Sequence, residues 1–84
     1  MDQVTIYGRS SCGFCVMARR LCESMNLEYV WVDMIAEGLS KEDIAARIGH
    51  PVRTVPQILI GQRYIGGYDE FSAYVRSHAS ELAR

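Results

Sequence analysis

The sequence lacks an excess of charge of either sign. Nine lysines and arginines stand against ten aspartates and glutamates, a net charge of −1. Without a basic excess to neutralise phosphates, a nucleic-acid partner is not expected. No apolar run approaches the roughly 18 residues of a membrane-spanning helix, and residues 1–7 lack the basic and long apolar parts of a signal peptide. We therefore expect a cytoplasmic protein that does not engage a membrane.

The chain is also short and has few cysteines. Its 84 residues suffice for one domain, residues 1–84, and we expect a monomer. Apolar residues make up 49% and charged residues 23%, as in ordinary folded proteins. The odd set of Cys12, Cys15 and Cys22 argues against a secreted scaffold held together by disulfides.

Four short runs of β-branched and aromatic residues predict strands. The second run follows a helix after a short turn, which favours a right-handed crossover and parallel pairing with the first strand. Gly61 and Gln62 suit a two-residue type II′ turn, so the fourth strand should return antiparallel to the third. The four strands are predicted at residues 4–7, 29–32, 58–60 and 63–65.

Apolar periodicity and capping residues predict three helices. The first has an apolar stripe from Phe14 to Met25, and Asn26 should stop it. A capping box at residues 40–43 opens the second helix and Gly49 ends it. The resulting order, β-α-β-α-β-β-α, describes a four-stranded sheet flanked by three helices. The third helix has Asp69 as its predicted N-cap and an apolar face of Phe71, Tyr74, Val75, His78 and Leu82.

Cys12 and Cys15, at the start of the first helix, carry the strongest chemical signal. Their spacing is about one helical turn, so the two sulfurs can bond. Unpaired amides and the positive end of the helix dipole favour the thiolate of Cys12, and Arg9 adds positive charge. Cys15 lies one turn further in. We predict that Cys12 is the attacking nucleophile, that Cys15 resolves, and that the two form a redox disulfide.

A zinc half-site and a static disulfide are the alternatives for this cysteine pair. Zinc normally takes four ligands, and the remaining candidates are Cys22, His50 and His78. Cys22 lies on the apolar stripe of the first helix, where a free cysteine is usually part of the core. No second Cys-x-x-Cys occurs, so redox chemistry is favoured.

Two further segments have both a structural and a functional interpretation. Pro56 fits the first position of a strand, and residue statistics favour a trans bond before it. A cis bond would instead turn the backbone groups of Val55 outward, where an extended peptide could pair with them. Residues 66–69 are either a glycine turn before a capped helix or an anion site formed by free amides.

Taken together, these motifs resemble the small dithiol members of the glutaredoxin family. The resemblance covers essentially the whole chain and rests on residues 6–7, 12–15, 54–57 and 65–69. It implies an α/β, thioredoxin-like fold with sheet order 2-1-3-4 and a cis Pro56. It also implies a glutathione-dependent oxidoreductase that reduces protein disulfides and glutathione mixed disulfides. Ribonucleotide reductase is a partner typical of the family.

The resemblance further implies a glutathione site. Val55 would pair with the backbone of the tripeptide, and the helix start at Tyr68 and Asp69 would take the γ-glutamyl carboxylate. The Asp69 side chain would hold the ammonium group, and Arg47 or Arg53 the glycine carboxylate. Besides Cys12, the implied glutathione-binding residues are Arg9, Phe14, Arg47, Arg53, Thr54, Val55, Pro56, Gly67, Tyr68 and Asp69.

One departure from the family keeps a second hypothesis open. Gly13 and Phe14 replace the usual Pro-Tyr, and Gly-Phe also occurs in single-cysteine members that bind clusters. The alternative is a dimer that bridges a [2Fe–2S] cluster through two Cys12 thiolates and two glutathiones. Cys15, where those members carry serine, favours the dithiol reductase, for which no metal is expected. A third hypothesis is an adaptor that recognises partners beside Pro56.

Overall fold

Four strands and three helices follow one another in the predicted order in the computed structural model, which describes residues 2–78. The predicted helix position Leu82 lies outside the described residues. Across residues 2–78, no helix has the length and apolar character needed to span a membrane. The strands are β1 Val4–Gly8, β2 Tyr29–Asp33, β3 Gln57–Ile60 and β4 Arg63–Gly66, and the helices are α1 Gly13–Ser24, α2 Lys41–Ile48 and α3 Tyr68–Ser77.

The four strands form one mixed sheet in the order β2-β1-β3-β4, which confirms the predicted topology. β1 pairs parallel with β2 and antiparallel with β3, and β3 pairs antiparallel with β4. In the β3–β4 turn Gly61 has a φ of 60°, whereas Gln62 does not have a positive φ. These signs are the ones that the predicted type II′ turn requires.

The main core lies between one face of the sheet and helices α1 and α3. Alternate residues of β1, Val4 and Ile6, are fully buried on this face. Cys22 of α1 is buried in the same cluster, which confirms its predicted packing role. Helix α2 lies over the opposite face of the sheet, where its Arg47 lines a cavity together with Thr5 of β1. From the helices, the core cluster contains Ala18, Cys22, Phe71 and Val75.

The residues predicted to end α1 and α2 do so through left-handed backbone. Asn26 has a φ of 57° and donates its N–H to the Glu23 carbonyl at 3.2 Å. The next amide, that of Leu27, donates to the Cys22 carbonyl at 2.8 Å. This pair of bonds satisfies carbonyls that the helix leaves unpaired, as in a Schellman motif. Gly49 closes α2 with a φ of 69°.

The predicted N-cap of α3 is wrong by two residues. Gly67 is the N-cap, and Asp69 lies inside the first turn. The Glu70 side chain, at the third position of α3, accepts the Gly67 N–H at 3.0 Å. A residue inside the helix therefore provides the hydrogen bond that caps its start. Asp69 still contributes favourably, since acidic residues in a first turn complement the helix dipole.

Candidate active site

Cys12 occupies the N-cap position of α1, directly after the loop that follows β1. Its backbone is extended, with φ −89° and ψ 117°, and its Sγ accepts the Cys15 N–H at 3.2 Å. The sulfur therefore stands where a capping oxygen usually stands. Negative charge on it is stabilised by an amide hydrogen bond and by the positive end of the helix dipole.

The Cys12 sulfur also contacts the turn that precedes β3. Its Sγ donates to the Val55 carbonyl oxygen at 3.5 Å, across 43 positions of sequence. The Val55–Pro56 peptide bond is cis, as the family resemblance implied and contrary to the residue statistics. The half-buried sulfur thus lies beside the backbone predicted to pair with an extended peptide.

Cys15 has the opposite environment. It is fully buried, and burial, together with a hydrogen bond to Cys12, raises the pKa of its thiol to about 12. The backbone and the positive charge of Arg9 act in the other direction. At neutral pH Cys15 is therefore a protonated thiol, and both cysteines are free in this structure. This environment fits the resolving role predicted for Cys15.

Gly8, which the sequence interpretation missed, makes room for the side chain of Cys15. A Cβ placed on Gly8 would lie 2.4 Å from Cys15 Sγ and 3.2 Å from Trp31 Cη2. The missing side chain therefore lets the helix approach the strand. The Arg19 guanidinium covers the Trp31 ring, 4.6 Å from its centroid. The sequence did carry one signal of this packing, because a glycine at the end of an apolar strand often marks a place where another element approaches the backbone closely.

A cleft beside Cys12 is lined by most of the residues predicted to bind glutathione. Phe14 and Tyr68 stack across it, with ring centroids 5.9 Å apart and planes at 26°. Glu70 was not predicted, although an acid three residues after a turn glycine is a capping signal. The cleft has a volume of about 330 Å³ and is lined by Phe14, Thr54, Val55, Pro56, Gly67, Tyr68, Asp69 and Glu70.

The three predicted arginines lie outside the lining of this cleft. Arg9 is exposed in the loop before α1, where its carbonyl accepts the Cys12 N–H at 3.1 Å. Arg53 is exposed immediately before the cleft residue Thr54. Arg47 lines a separate cavity of about 420 Å³ together with residues of the other sheet face.

The residues considered as zinc ligands do not converge on the cysteine pair. Cys22 lies in the core, His50 stacks on Tyr64 at 4.1 Å, and His78 stacks on Tyr74 at 4.0 Å. Within residues 2–78, no three histidine, cysteine or acidic side chains are grouped as a metal site would require.

The chain is similar to known proteins over nearly its whole length. The sequence model of the family described as Glutaredoxin matches residues 4–65. Glutaredoxin 1 of Escherichia coli K12 is 46% identical over 81 residues, which cover 90% of this chain and 95% of that protein. A glutaredoxin of Haemophilus influenzae is 42% identical over 85 residues, covering 95% and 98%.

Solved glutaredoxin structures are also similar to this chain. The structure of reduced Escherichia coli glutaredoxin aligns with a TM-score of 0.80 and 43% identity, covering 93% of this chain and 98% of that one. The oxidised form of the same protein aligns with a TM-score of 0.79, the same identity and the same coverage.

Proposed function

The chain belongs to the glutaredoxin family and is a thiol–disulfide oxidoreductase, and from that premise we propose that glutathione is its reductant. Its substrates are glutathione mixed disulfides and protein disulfides. The observation that carries the proposal is the contact between Cys12 Sγ and the Val55 carbonyl at 3.5 Å, because it places the nucleophile at the edge of a peptide-sized cleft.

Removal of glutathione from a mixed disulfide needs only Cys12. Its thiolate attacks the glutathione sulfur, the old disulfide breaks, and the substrate sulfur leaves as a thiolate and takes a proton. A second glutathione thiolate then attacks the Cys12-bound sulfur. Oxidised glutathione leaves, and the Cys12 thiolate is restored.

Reduction of a protein disulfide uses both cysteines. Cys12 forms a mixed disulfide with one substrate sulfur, and the other substrate sulfur leaves and is protonated. Cys15 then loses its proton and attacks Cys12 Sγ, which releases the second substrate thiolate and leaves a Cys12–Cys15 disulfide. Two glutathiones reduce that bond. The relative from Escherichia coli has been solved in reduced and oxidised forms, which supports such a cycle.

The cleft and the adjoining Arg53 offer a partner for each charged end of glutathione. The backbone of Val55 pairs with the cysteine residue of the tripeptide. The first-turn amides of α3, at Tyr68 and Asp69, have no acceptor within the helix and take the γ-glutamyl carboxylate. The Asp69 carboxylate holds the ammonium group. Of the two candidates for the glycine carboxylate, Arg53 is favoured because it adjoins the cleft residue Thr54.

We place the enzyme in the cytoplasm as a monomer, where glutathione keeps thiols reduced. Its protein partners are disulfide-containing or glutathionylated proteins, among which ribonucleotide reductase is the expectation that comes with the family.

A glutathione-coupled turnover assay on two variants tests the proposal. Cys12→Ser should lose activity on both substrate classes, because no other cysteine is placed to attack. Cys15→Ser should keep its activity on a glutathionylated peptide and lose most of its activity on a protein disulfide. Full turnover by Cys12→Ser, or equal losses on both substrates in Cys15→Ser, would contradict the assignment.

A further inference from the structure

A buried polar side chain next to the cleft has no part in the mechanism above. Gln57, the first residue of β3, is the buried polar residue of the described chain. Its Nε2 donates to the Thr54 carbonyl at 2.7 Å, and its Oε1 accepts the Tyr64 hydroxyl at 2.6 Å. A buried amide is costly unless both ends are bonded, and here both are.

The chemistry of the partners fixes which way this amide points. The Thr54 carbonyl can only accept, so the NH₂ end of Gln57 must face it. The oxygen end then faces Tyr64, whose hydroxyl must donate. A reversed amide would place oxygen against oxygen at the Thr54 end, so only this orientation lets Gln57 bond both partners, and the Tyr64 hydroxyl holds its oxygen end in place.

Holding the Thr54 carbonyl also orients the next amide. The Thr54–Val55 peptide bond is trans, and in a trans peptide the C=O and the N–H point in opposite directions. With the carbonyl turned toward buried Gln57, the Val55 N–H points away from the interior, on the side where Val55 lines the cleft.

We propose that Gln57 and Tyr64 are positioning residues, which fix the Val55 amide for backbone pairing with glutathione. The inference rests on the proposed function and adds a specific part to it. Tyr64 acts through Gln57, and Gln57 acts through the peptide plane between Thr54 and Val55.

The surroundings of Tyr64 keep it in this role. His50 stacks on its ring, with centroids 4.1 Å apart and planes at 22°. Burial and the negative charge of Glu70 raise the pKa of Tyr64, so its hydroxyl retains the proton that it donates. Glu70 in turn accepts the Gly67 amide at 3.0 Å, and both residues line the cleft.

A pair of matched tyrosine variants tests the proposal. Tyr64→Phe removes the hydroxyl and keeps the ring, and Tyr74→Phe makes the same change on a tyrosine that stacks on His78 outside the cleft. Glutathione is varied against a fixed glutathionylated peptide, and kcat and KM are measured separately. For Tyr64→Phe we expect KM for glutathione to rise about tenfold with kcat within about twofold, while Tyr74→Phe matches the wild type.

A double variant tests the order of action. Because Tyr64 works through Gln57, the variant with both Gln57→Met and Tyr64→Phe should have the same KM as Gln57→Met alone. Loss of folded protein would lower the apparent kcat and leave KM unchanged. An unchanged KM in Tyr64→Phe would overturn the proposal, and so would effects of the two substitutions on KM that multiply. If Gln57→Met does not fold, Tyr64→Phe alone decides.

The outcomes separate this proposal from the function on which it rests. If the wild type does not turn over with glutathione, the proposed function is wrong. If it does, and Tyr64→Phe has the KM of Tyr74→Phe, the function stands and only the positioning role is wrong.

Discussion

Replacement of Gly8 by alanine is the most direct test of how the fold accommodates the resolving cysteine. Gly8 ends β1, is buried, and pairs with Asp33 of β2. Its φ is not positive, so alanine can adopt the same backbone and only the added Cβ matters. That Cβ would lie 2.4 Å from Cys15 Sγ and 3.2 Å from Trp31 Cη2.

The expected cost follows from that overlap. Ordinary nonbonded contacts lie at roughly 3.5–4 Å, so the sulfur must retreat by about 1 Å or more within a closely packed interior. Overpacking of this kind typically costs about 1–3 kcal/mol, and we expect about 2 kcal/mol for Gly8→Ala. The assay is denaturant unfolding of the reduced protein, analysed at constant m.

A glycine in open space provides the control for this measurement. A Cβ on Gly13 would meet no atom within 4 Å, so Gly13→Ala should not destabilise the protein and should raise the free energy of unfolding by up to about 1 kcal/mol, because alanine restricts the unfolded chain. Because the displaced atom belongs to Cys15, Gly8→Ala should also slow protein-disulfide reduction more than deglutathionylation.

The Cys15→Ala background identifies the clashing atom. With Sγ absent, the nearest neighbours of the new Cβ are the Cβ of residue 15 and Trp31 Cη2, both at 3.2 Å. Gly8→Ala should then cost less than about 1 kcal/mol, so the two substitutions should be clearly non-additive. An equal cost in both backgrounds would refute the argument that the glycine exists to admit the sulfur.

Three further predictions concern stability. Burial raises the pKa of Cys15 and Cys22 from 9.0 to about 12, so the unfolded chain releases these protons first. Reduced protein should therefore lose about 1.4 kcal/mol per pH unit per thiol above pH ~9, and Cys22→Ala should roughly halve the slope of stability against pH; an unchanged slope would contradict this. Ser40→Ala should cost about 1 kcal/mol. The backbone N–H of Ser40 and, second, its hydroxyl lower the pKa of Asp43. Ser40→Ala removes only the hydroxyl, so only this smaller part of the difference from wild type should disappear in an acid denaturation series as that carboxyl protonates. Asn26→Ala should cost about 1 kcal/mol in thermal unfolding, and Asn26→Gly clearly less, because φ there is 57°.

Local patterns predicted the elements wherever one local signal acted alone. The capping box at residues 40–43 forms as expected, with the Asp43 amide donating to the Ser40 hydroxyl at 3.0 Å. The start of α3 was misplaced because two acids compete there. Asp69 matches an N-cap by residue type, but Glu70 reaches back to Gly67 and moves the helix start earlier.

Apolar periodicity predicted the helix α1 correctly but not which of its apolar residues are buried. Phe14 and Met17 belong to the predicted stripe of α1, yet they are 56% and 44% exposed. Phe14 lines the cleft and stacks on Tyr68 instead of packing into the core. The apolar pattern of one helix does not reveal which of its residues face a cleft formed with other elements.

The candidate site depends on register as much as on its motifs. Tyr7 pairs with Gln57, and Ile58 pairs with Gly66. The end of β1, the start of β3 and the end of β4 therefore lie side by side, and the chain next to each of them carries one wall of the cleft. Had β3 run parallel to β1, Val55 would lie at the far end of the strand from Cys12, and the same three motifs would form no site. Each motif is local and can be read from the sequence. Their convergence depends on the antiparallel pairing of β1 with β3, which only the resemblance to a family predicted.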